Sequence, residues 1–493
     1  MISIDGERLG IDHVTAVAAG APVALAPDAA TRMRRSRQVV EALAEGDRAV
    51  YGVNTGVGLL ADVRIEPDAL GRLQRNVVRS HAAGVGERLA RHEVRAMMLI
   101  RANVLAKGLS GIRPLVAERL CELLNLGVTP VVPSLGSVGA SGDLAPLAHI
   151  ALVLIGEGEA EIGGTVLPAA EALRRAGIQP LVLAAKEGIS LINGTQGMLA
   201  VGCLELAAAE TLVRTADVLC AMTLDALRGT PRAFDPRIHA ARPHPGQAES
   251  AAHLTWLLEG SEIRASHIAC RRVQDAYSLR CAPQVHGAVR DTLAEARRVF
   301  TVELNSATDN PLVFDGEILS GGNFHGEPLA LQLDYMAIAL ASLSALSERR
   351  IDRLVNPMLN EDLPPFLANT PGLESGLMMA QVSAASLVGD NRVLAHPATP
   401  GTIPTSGNKE DFVSMGMSAA LKFKRVVANT RSVLAIEALT AARALDLLKP
   451  LRTSAPLERD RIRAVSPPLT EDRPLYRDIE ALSRLIAASA LDI

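Results

Sequence analysis

The chain has 493 residues, of which 48% are hydrophobic but only 2% aromatic, and a formal net charge of −4. That is ample apolar material for a core of Leu, Ala and Val, which suits packed helices better than a β-sandwich. The weak net charge and the lack of a long basic run argue against nucleic acid as a partner, and Met1-Ile2-Ser3-Ile4-Asp5-Gly6 lacks the basic region and apolar run of a signal peptide.

Before Tyr51, short helical segments alternate with polar turns. Over 91–126 apolar residues recur at helical spacing, among them Val94, Met97, Met98, Ile100, Val104 and Leu105. A loop containing Pro130 and Pro133 then leads through Gly136-Ser137-Val138-Gly139-Ala140-Ser141-Gly142-Asp143 into a short apolar helix over 144–156. Pro146 falls in its first turn, where proline is tolerated. Gly163-Gly164-Thr165 predicts a hairpin or turn. Beyond Leu191, Ala/Leu-rich helices are expected over 198–228, 288–306, 328–355 and 414–448. Leu329, Leu333, Met336, Leu340, Leu343 and Leu346 form one stripe, which reads as core. The most apolar long stretch, 328–346, contains Asp334 and is amphipathic, so a buried helix is expected rather than a membrane span. The loops 232–245 and 395–408, rich in Pro, Gly and Thr, are candidate active-site loops.

The expected architecture is mainly α, a long-helix bundle with a mixed N-terminal portion, divided into 1–195 and 196–493. The five cysteines (Cys121, Cys203, Cys220, Cys270 and Cys281) are scattered without a CxxC spacing and read as reduced and cytosolic. His239 and His244 stand in a Pro-rich loop without further ligands near them in sequence, so no metal centre is expected.

The chemistry centres on Ala140-Ser141-Gly142. If the chain folds tightly there, the Gly142 nitrogen can attack the Ala140 carbonyl and close a five-membered ring. One water leaves from the ring and a second carries away the Ser141 hydroxyl, leaving an exocyclic methylidene conjugated to a carbonyl. Gly has no side chain to shield its nitrogen and tolerates strained backbone, Ser supplies a β-hydroxyl that can be eliminated, and Ala leaves the carbonyl open. At a helix N-terminus the local partial positive charge favours negative charge developing on such a ring.

The run closely resembles the family of 4-methylideneimidazole-5-one (MIO) ammonia-lyases, and within it the histidine-type enzymes; the resemblance extends from about Tyr51 to the late 450s. It implies a fold of the fumarase/aspartase-like type, an MIO group made autocatalytically from Ala140, Ser141 and Gly142 with no external cofactor, and a cytoplasmic homotetramer with shared active sites. It also implies roles for several residues. Tyr51, opening Tyr51-Gly52-Val53-Asn54-Thr55-Gly56-Val57-Gly58, resembles the family's catalytic tyrosine, acting on the β-proton as phenolate. That role requires a pKa well below the usual value of about 10, hence a nearby positive field. In Gln274-Asp275-Ala276-Tyr277-Ser278-Leu279-Arg280, the three-residue spacing puts Tyr277 and Arg280 on one helical face. Arg280 resembles the clamp on the substrate carboxylate, and Tyr277 a second proton-handling group; Gln274 and Gln284 are candidate network members. Asn193 resembles the asparagine that contacts ring and carboxylate, and Phe324 a wall of the ring cavity; Asn310 and His325 are equally read as structural.

Two residues bear on the substrate. Ser80-His81 stand where phenylalanine-type and tyrosine-type lyases carry Phe-Leu and His-Leu, and His81 resembles the residue that meets an imidazole side chain in the histidine-type enzymes. Glu410, in Gly407-Asn408-Lys409-Glu410-Asp411-Phe412, matches a histidine-type glutamate where phenylalanine-type enzymes have glutamine. A carboxylate there can accept from an imidazole N–H but offers a phenyl ring nothing. Lys409, Phe412, Leu135, Val57 and Ala398-Thr399-Pro400 depart from the family pattern, and Lys409 adds a positive charge beside Glu410. The expected reaction is deamination of L-histidine to urocanate. The alternatives are a lyase or 2,3-aminomutase acting on tyrosine, phenylalanine or a histidine derivative, and an inactive helical scaffold.

Overall fold

A computed structural model describes residues 1–46, 48–268, 273–457 and 459–492, so Cys270 lies outside the described residues. The chain forms two compact units, each discontinuous in sequence: Met1–Leu204 with Arg297–Asp334 and Pro397–Leu421, and Glu205–Ala296 with Tyr335–His396 and Lys422–Ile493. The division expected from sequence was contiguous, at 195/196. The difference arises because the helices Gln196–Ala226, Ala282–Leu304, Glu327–Val355 and Gly416–Leu447 each contain a unit boundary.

The first unit is mixed. Small strand pairs tie its loops: Ile2–Ile4 runs parallel to Val23–Leu25, and Val85–Arg88 runs antiparallel to Pro133–Leu135. A three-stranded sheet orders Thr129–Pro130, Glu159–Ile162 and Thr165–Pro168, with Gly163-Gly164 in the hairpin turn. The stretch expected to be helical over 91–126 divides into Arg91–Ala106 and Pro114–Asn125, separated where Gly108 and Gly111 take positive φ and Pro114 starts the second helix. Helix Arg91–Ala106 is buried on every face from Glu93 to Ala106, so it is the centre of this unit rather than a surface helix. It carries Arg95 and Arg101 into that interior. Short helix Leu144–Leu154 follows the Ala140–Asp143 segment of the site, and short helix Glu187–Ile192 leads into its Asn193-Gly194 turn.

The second unit is built of long helices. Met336, Leu340 and Leu343 are fully buried, as the stripe predicts, whereas Leu346 is half-buried. A buried charge network links five helices here. Asp217 accepts from the Ser250 hydroxyl at 2.6 Å, from His286 Nδ1 at 2.6 Å and from Arg290 Nη2 at 2.6 Å. His286 Nε2 accepts from Arg350 Nη1 at 3.3 Å, and Arg350 forks onto the Glu437 carboxylate. With one ring nitrogen donating and the other accepting, His286 is neutral, and burial holds its pKa below the ordinary value. Loop 232–245 is partly helical, over Pro231–Phe234 and Pro236–Ala240.

By length and composition alone Gln196–Ala226 and Glu327–Val355 could cross a membrane, but 72% and 50% of their most apolar windows are buried within the fold. Cys121, Cys203 and Cys220 are buried, which pushes their thiols up.

Candidate active site

The Ala140–Asp143 segment is held in a tight, non-repetitive conformation by its neighbour in space, the turn Asn193-Gly194. Gly194 N–H donates to the Ser141 carbonyl at 3.2 Å, and Asp143 N–H donates to the Gly194 carbonyl at 2.7 Å. Gly142 has φ +73°, and a β-carbon on it would overlap the Gly194 carbonyl. Only glycine fits here, on both counts. The Asn193 side-chain amide also reaches the Ser141 carbonyl, at 3.4 Å, while its Oδ1 is buried without a partner.

Asp143 anchors the far side of the segment. Its buried carboxylate accepts from the Ser137 hydroxyl at 2.7 Å and from Met198 N–H at 2.8 Å. Burial pushes its pKa to about 6 despite these bonds and the Arg101 charge. Ser414 Oγ and Gly326 N–H both donate to the Gly139 carbonyl, and Met415 N–H donates to Val138. The 406–416 stretch and the Gly326 turn are thereby fastened against the tripeptide.

These fastenings enclose a cavity of about 390 Å³ lined by Tyr51, Ala140, Ser141, Phe324, Lys409 and Glu410, among others. Ser141 Oγ donates to Glu410 Oε1 at 2.9 Å, and Thr405 Oγ1 donates to Oε2 at 2.5 Å. Both Glu410 oxygens are thus engaged by hydroxyls, with Lys409 exposed beside it. Loop 395–408 contributes Ser406 to the lining; the other candidate loop, 232–245, lies in the second unit.

Tyr51 sits half-buried on its glycine loop. The loop is pinned by Asn54, which accepts from Val50 N–H at 2.7 Å and donates to the Arg48 carbonyl at 3.0 Å. Gly52 and Gly58 take positive φ. Burial raises the Tyr51 pKa, as do the charges of Glu410 and Asp309, against a hydrogen bond from Gly58. The positive field expected for a phenolate is therefore not supplied by these neighbours; they favour the neutral phenol.

His325 and Asn310, read evenly as functional or structural, are both tied into the cavity wall. His325 Nε2 donates to the Phe412 carbonyl at 3.2 Å and Nδ1 accepts from Glu327 N–H at 3.3 Å. Its ring stacks on Phe412 with centroids 5.9 Å apart. Asn310 Oδ1 accepts from the Ser320 hydroxyl and Gly321 N–H.

The remaining sequence-predicted residues are not in this cavity wall. His81 ends helix Leu70–His81, and its Nδ1 donates to the Val77 carbonyl at 2.7 Å with the Ser80 hydroxyl 3.2 Å away. Gln274, Tyr277 and Arg280 belong to the second unit; Tyr277 is 69% exposed, and the Arg280 guanidinium lies over its ring at 4.6 Å. Gln284, in the same unit, has a buried Oε1 without a partner. Sequence reading passed over Ser137, Arg101 and Thr405. Arg101 acts on Ser190 and Asn193, far away in the chain, whereas Ser137 and Thr405 act on Asp143 and Glu410 only six and five residues on, through bonds that the folded loops create.

Comparison with known proteins adds to this geometry. The aromatic amino acid lyase profile matches residues 9–466. A histidine ammonia-lyase from Koribacter versatilis (strain Ellin345) is 58% identical, covering 99% of this chain and 98% of the relative. Among solved structures, histidine ammonia-lyase from Trypanosoma cruzi superposes with a TM-score of 0.92 at 43% identity, covering 99% of this chain and 94% of that one. Tyrosine aminomutase from Streptomyces globisporus gives a TM-score of 0.94 at 40% identity, covering 99% and 97%.

Proposed function

The chain belongs to the aromatic amino acid lyase family, and on that footing we propose that it is a carbon–nitrogen lyase converting L-histidine to urocanate and ammonia. The observation that carries this reading is the meeting of Ser141, Tyr51 and Glu410 in one cavity, with Ser141 Oγ 2.9 Å from the Glu410 carboxylate. The tripeptide that can become an electrophile thus faces a side chain able to accept from an imidazole.

An MIO group formed from Ala140, Ser141 and Gly142 fits the residues present. Gly142 occupies backbone space that a β-carbon would fill, and Asn193 brings an orphaned buried oxygen beside Ser141. The group would supply an electrophile that takes up the substrate amine and makes it a better leaving group. It would be held by Gly194 N–H and the Asn193 amide on the Ser141 carbonyl. Every other task falls to the chain's own side chains.

Tyr51 is the leading group to take the β-proton, and Phe324 walls the cavity beside it. Glu410 accepts from the substrate imidazole, exchanging the Ser141 hydroxyl for that partner. His81 offers its Nε2 as a second imidazole partner. Arg280 grips the carboxylate with a bidentate fork, aided by Gln274, and Tyr277 steadies the amine. A cytoplasmic homotetramer with shared active sites agrees with this division of labour, since the second-unit trio is open to contact. Tyr335, Ile338, Met379, Val382 and Val393 expose apolar area of the kind that assembly covers.

The likeness to tyrosine aminomutase makes a 2,3-aminomutase the second reading. Purified protein incubated separately with L-histidine, L-phenylalanine and L-tyrosine separates them by ultraviolet absorbance. A rise with histidine alone, as urocanate accumulates, is expected. A rise with an aromatic substrate instead, or a β-amino acid product, would overturn the histidine assignment.

A further inference from the structure

The turn that donates to the Ser141 carbonyl is itself held from behind. Arg101, on the buried helix Arg91–Ala106, donates from Nη1 to the Ser190 carbonyl at 2.9 Å and to the Asn193 carbonyl at 2.8 Å. Its Nη2 donates to the same Asn193 oxygen at 2.9 Å. The Asn193 carbonyl and the Gly194 N–H are the two ends of one peptide group. The guanidinium therefore sits at one end of that group and the Ser141 carbonyl at the other. A cation on the carbonyl end withdraws electron density and makes the N–H a stronger donor. Packing fixes the direction too, because a β-carbon on Gly194 would come within 2.7 Å of Arg101 Nη2.

Arg101 is fully buried in a helix of otherwise mostly apolar residues. Burial pulls its pKa down to about 10, against the charges of Asp309 and Asp143. A buried cation whose strongest bonds go to backbone carbonyls rather than to a carboxylate is costly to keep. Its contacts converge on the peptide group that faces the tripeptide.

We infer that Arg101 is a positioning residue for the electrophile: by gripping the Asn193–Gly194 peptide it aims and strengthens the Gly194 N–H on the Ser141 carbonyl oxygen. This rests on the reading that Ala140, Ser141 and Gly142 form the ring. When a nucleophile adds, its electron pair bonds to the former Ser141 β-carbon. The π pair of the methylidene shifts toward the Ser141 carbonyl, whose oxygen takes the negative charge until a proton is gained. A preorganised donor at that oxygen lowers the barrier without reorganisation.

The test begins with the intact mass of the wild-type chain. A deficit of two waters secures the ring reading; the full encoded mass ends that reading and this inference with it. Given the deficit, Arg101→Met and Arg101→Lys are compared with wild type for the rate at which cyanide adds once to the folded protein, followed as a mass gain. Arg101→Met, with native circular dichroism, is expected to add cyanide about tenfold or more slowly. Arg101→Lys keeps the charge without the fork and should fall between. A folded Arg101→Met chain that keeps both waters supports the inference as well, because the same donor acidifies the Ser141 α-hydrogen during dehydration. Equal addition rates in mature wild type and Arg101→Met overturn it. If the methionine variant is insoluble, wild-type cyanide addition by Arg101→Lys overturns it equally, and failure of both variants to fold assigns Arg101 to the core alone.

Discussion

Ser141 and Glu410 stand 269 positions apart in the chain, yet the Ser141 hydroxyl donates to Glu410 Oε1 at 2.9 Å. On the proposed reading, the contact places the hydroxyl that would leave during ring formation against the side chain that would accept from an imidazole substrate. Thr405 holds the other carboxylate oxygen, so Glu410 is already oriented when the hydroxyl is gone. Glu410→Gln should lower turnover of histidine about 10- to 100-fold, the worth of a hydrogen bond to a charged partner. Any residual turnover of phenylalanine should fall less. Equal losses on both substrates, measured as kcat/KM, would remove the specificity role.

The same substitution tests the base. Tyr51 loses its proton only as pH rises, and the Glu410 charge helps keep that proton on. If Tyr51 takes the β-proton as phenolate, activity climbs with pH as its phenol ionises, and Glu410→Gln should move that rising limb to lower pH. Tyr51→Phe should cost about 10²–10⁴-fold in kcat and abolish the limb. A pH profile that is the same in wild type and Glu410→Gln would detach the limb from Tyr51.

Gly142→Ala should leave the chain without the mass deficit of two waters, because its β-carbon would have to occupy the space of the Gly194 carbonyl. Backbone displacement there should also lower stability by about 1–3 kcal/mol. Gly389, in helix Met378–Leu394 with open space around it, is the control: Gly389→Ala should mature fully and gain about 0.5–1 kcal/mol. Chemical denaturation and intact mass together separate the two effects.

The second unit should respond to acid through His286. Its folded pKa lies below the unfolded value of about 6.5. Its contribution is therefore fully present above that value and is lost as pH falls through the folded pKa, when unfolding takes up a proton. His286→Gln should be less stable than wild type at pH 7.5, and the gap should narrow as pH falls below about 6.5. A gap constant from pH 7.5 to pH 5 would contradict the neutral tautomer set by Asp217 and Arg350.

The tripeptide was legible in sequence because ring closure dictates its residue types, whereas Tyr51 and Glu410 were picked out by resemblance to family motifs; the fold brings the three to one cavity. The helices over 328–355 and 414–448 were legible from apolar spacing, and the structure bounds them at Glu327–Val355 and Gly416–Leu447. Arg101 was not, since a guanidinium in an apolar helix announces burial only once the helix is known to be surrounded. The break at Gly108–Pro114 was hidden by apolar residues on both sides, which continue the helical period across it. The raised pKa of Tyr51 arises first from burial and then from the charges of Glu410 and Asp309, and only the fold supplies either. The discontinuous units were invisible to a reading in chain order, because a helix that leaves one unit for another keeps one unbroken pattern.

The intact mass of the purified wild-type chain, read beside Ser141→Ala, bears most directly on the reading that Ala140, Ser141 and Gly142 become the electrophile. A wild-type mass two waters below the encoded chain is expected, with Ser141→Ala falling short of its own encoded mass by one water at most and losing most turnover of histidine. A wild-type chain at its full encoded mass that still releases ammonia from histidine would contradict it.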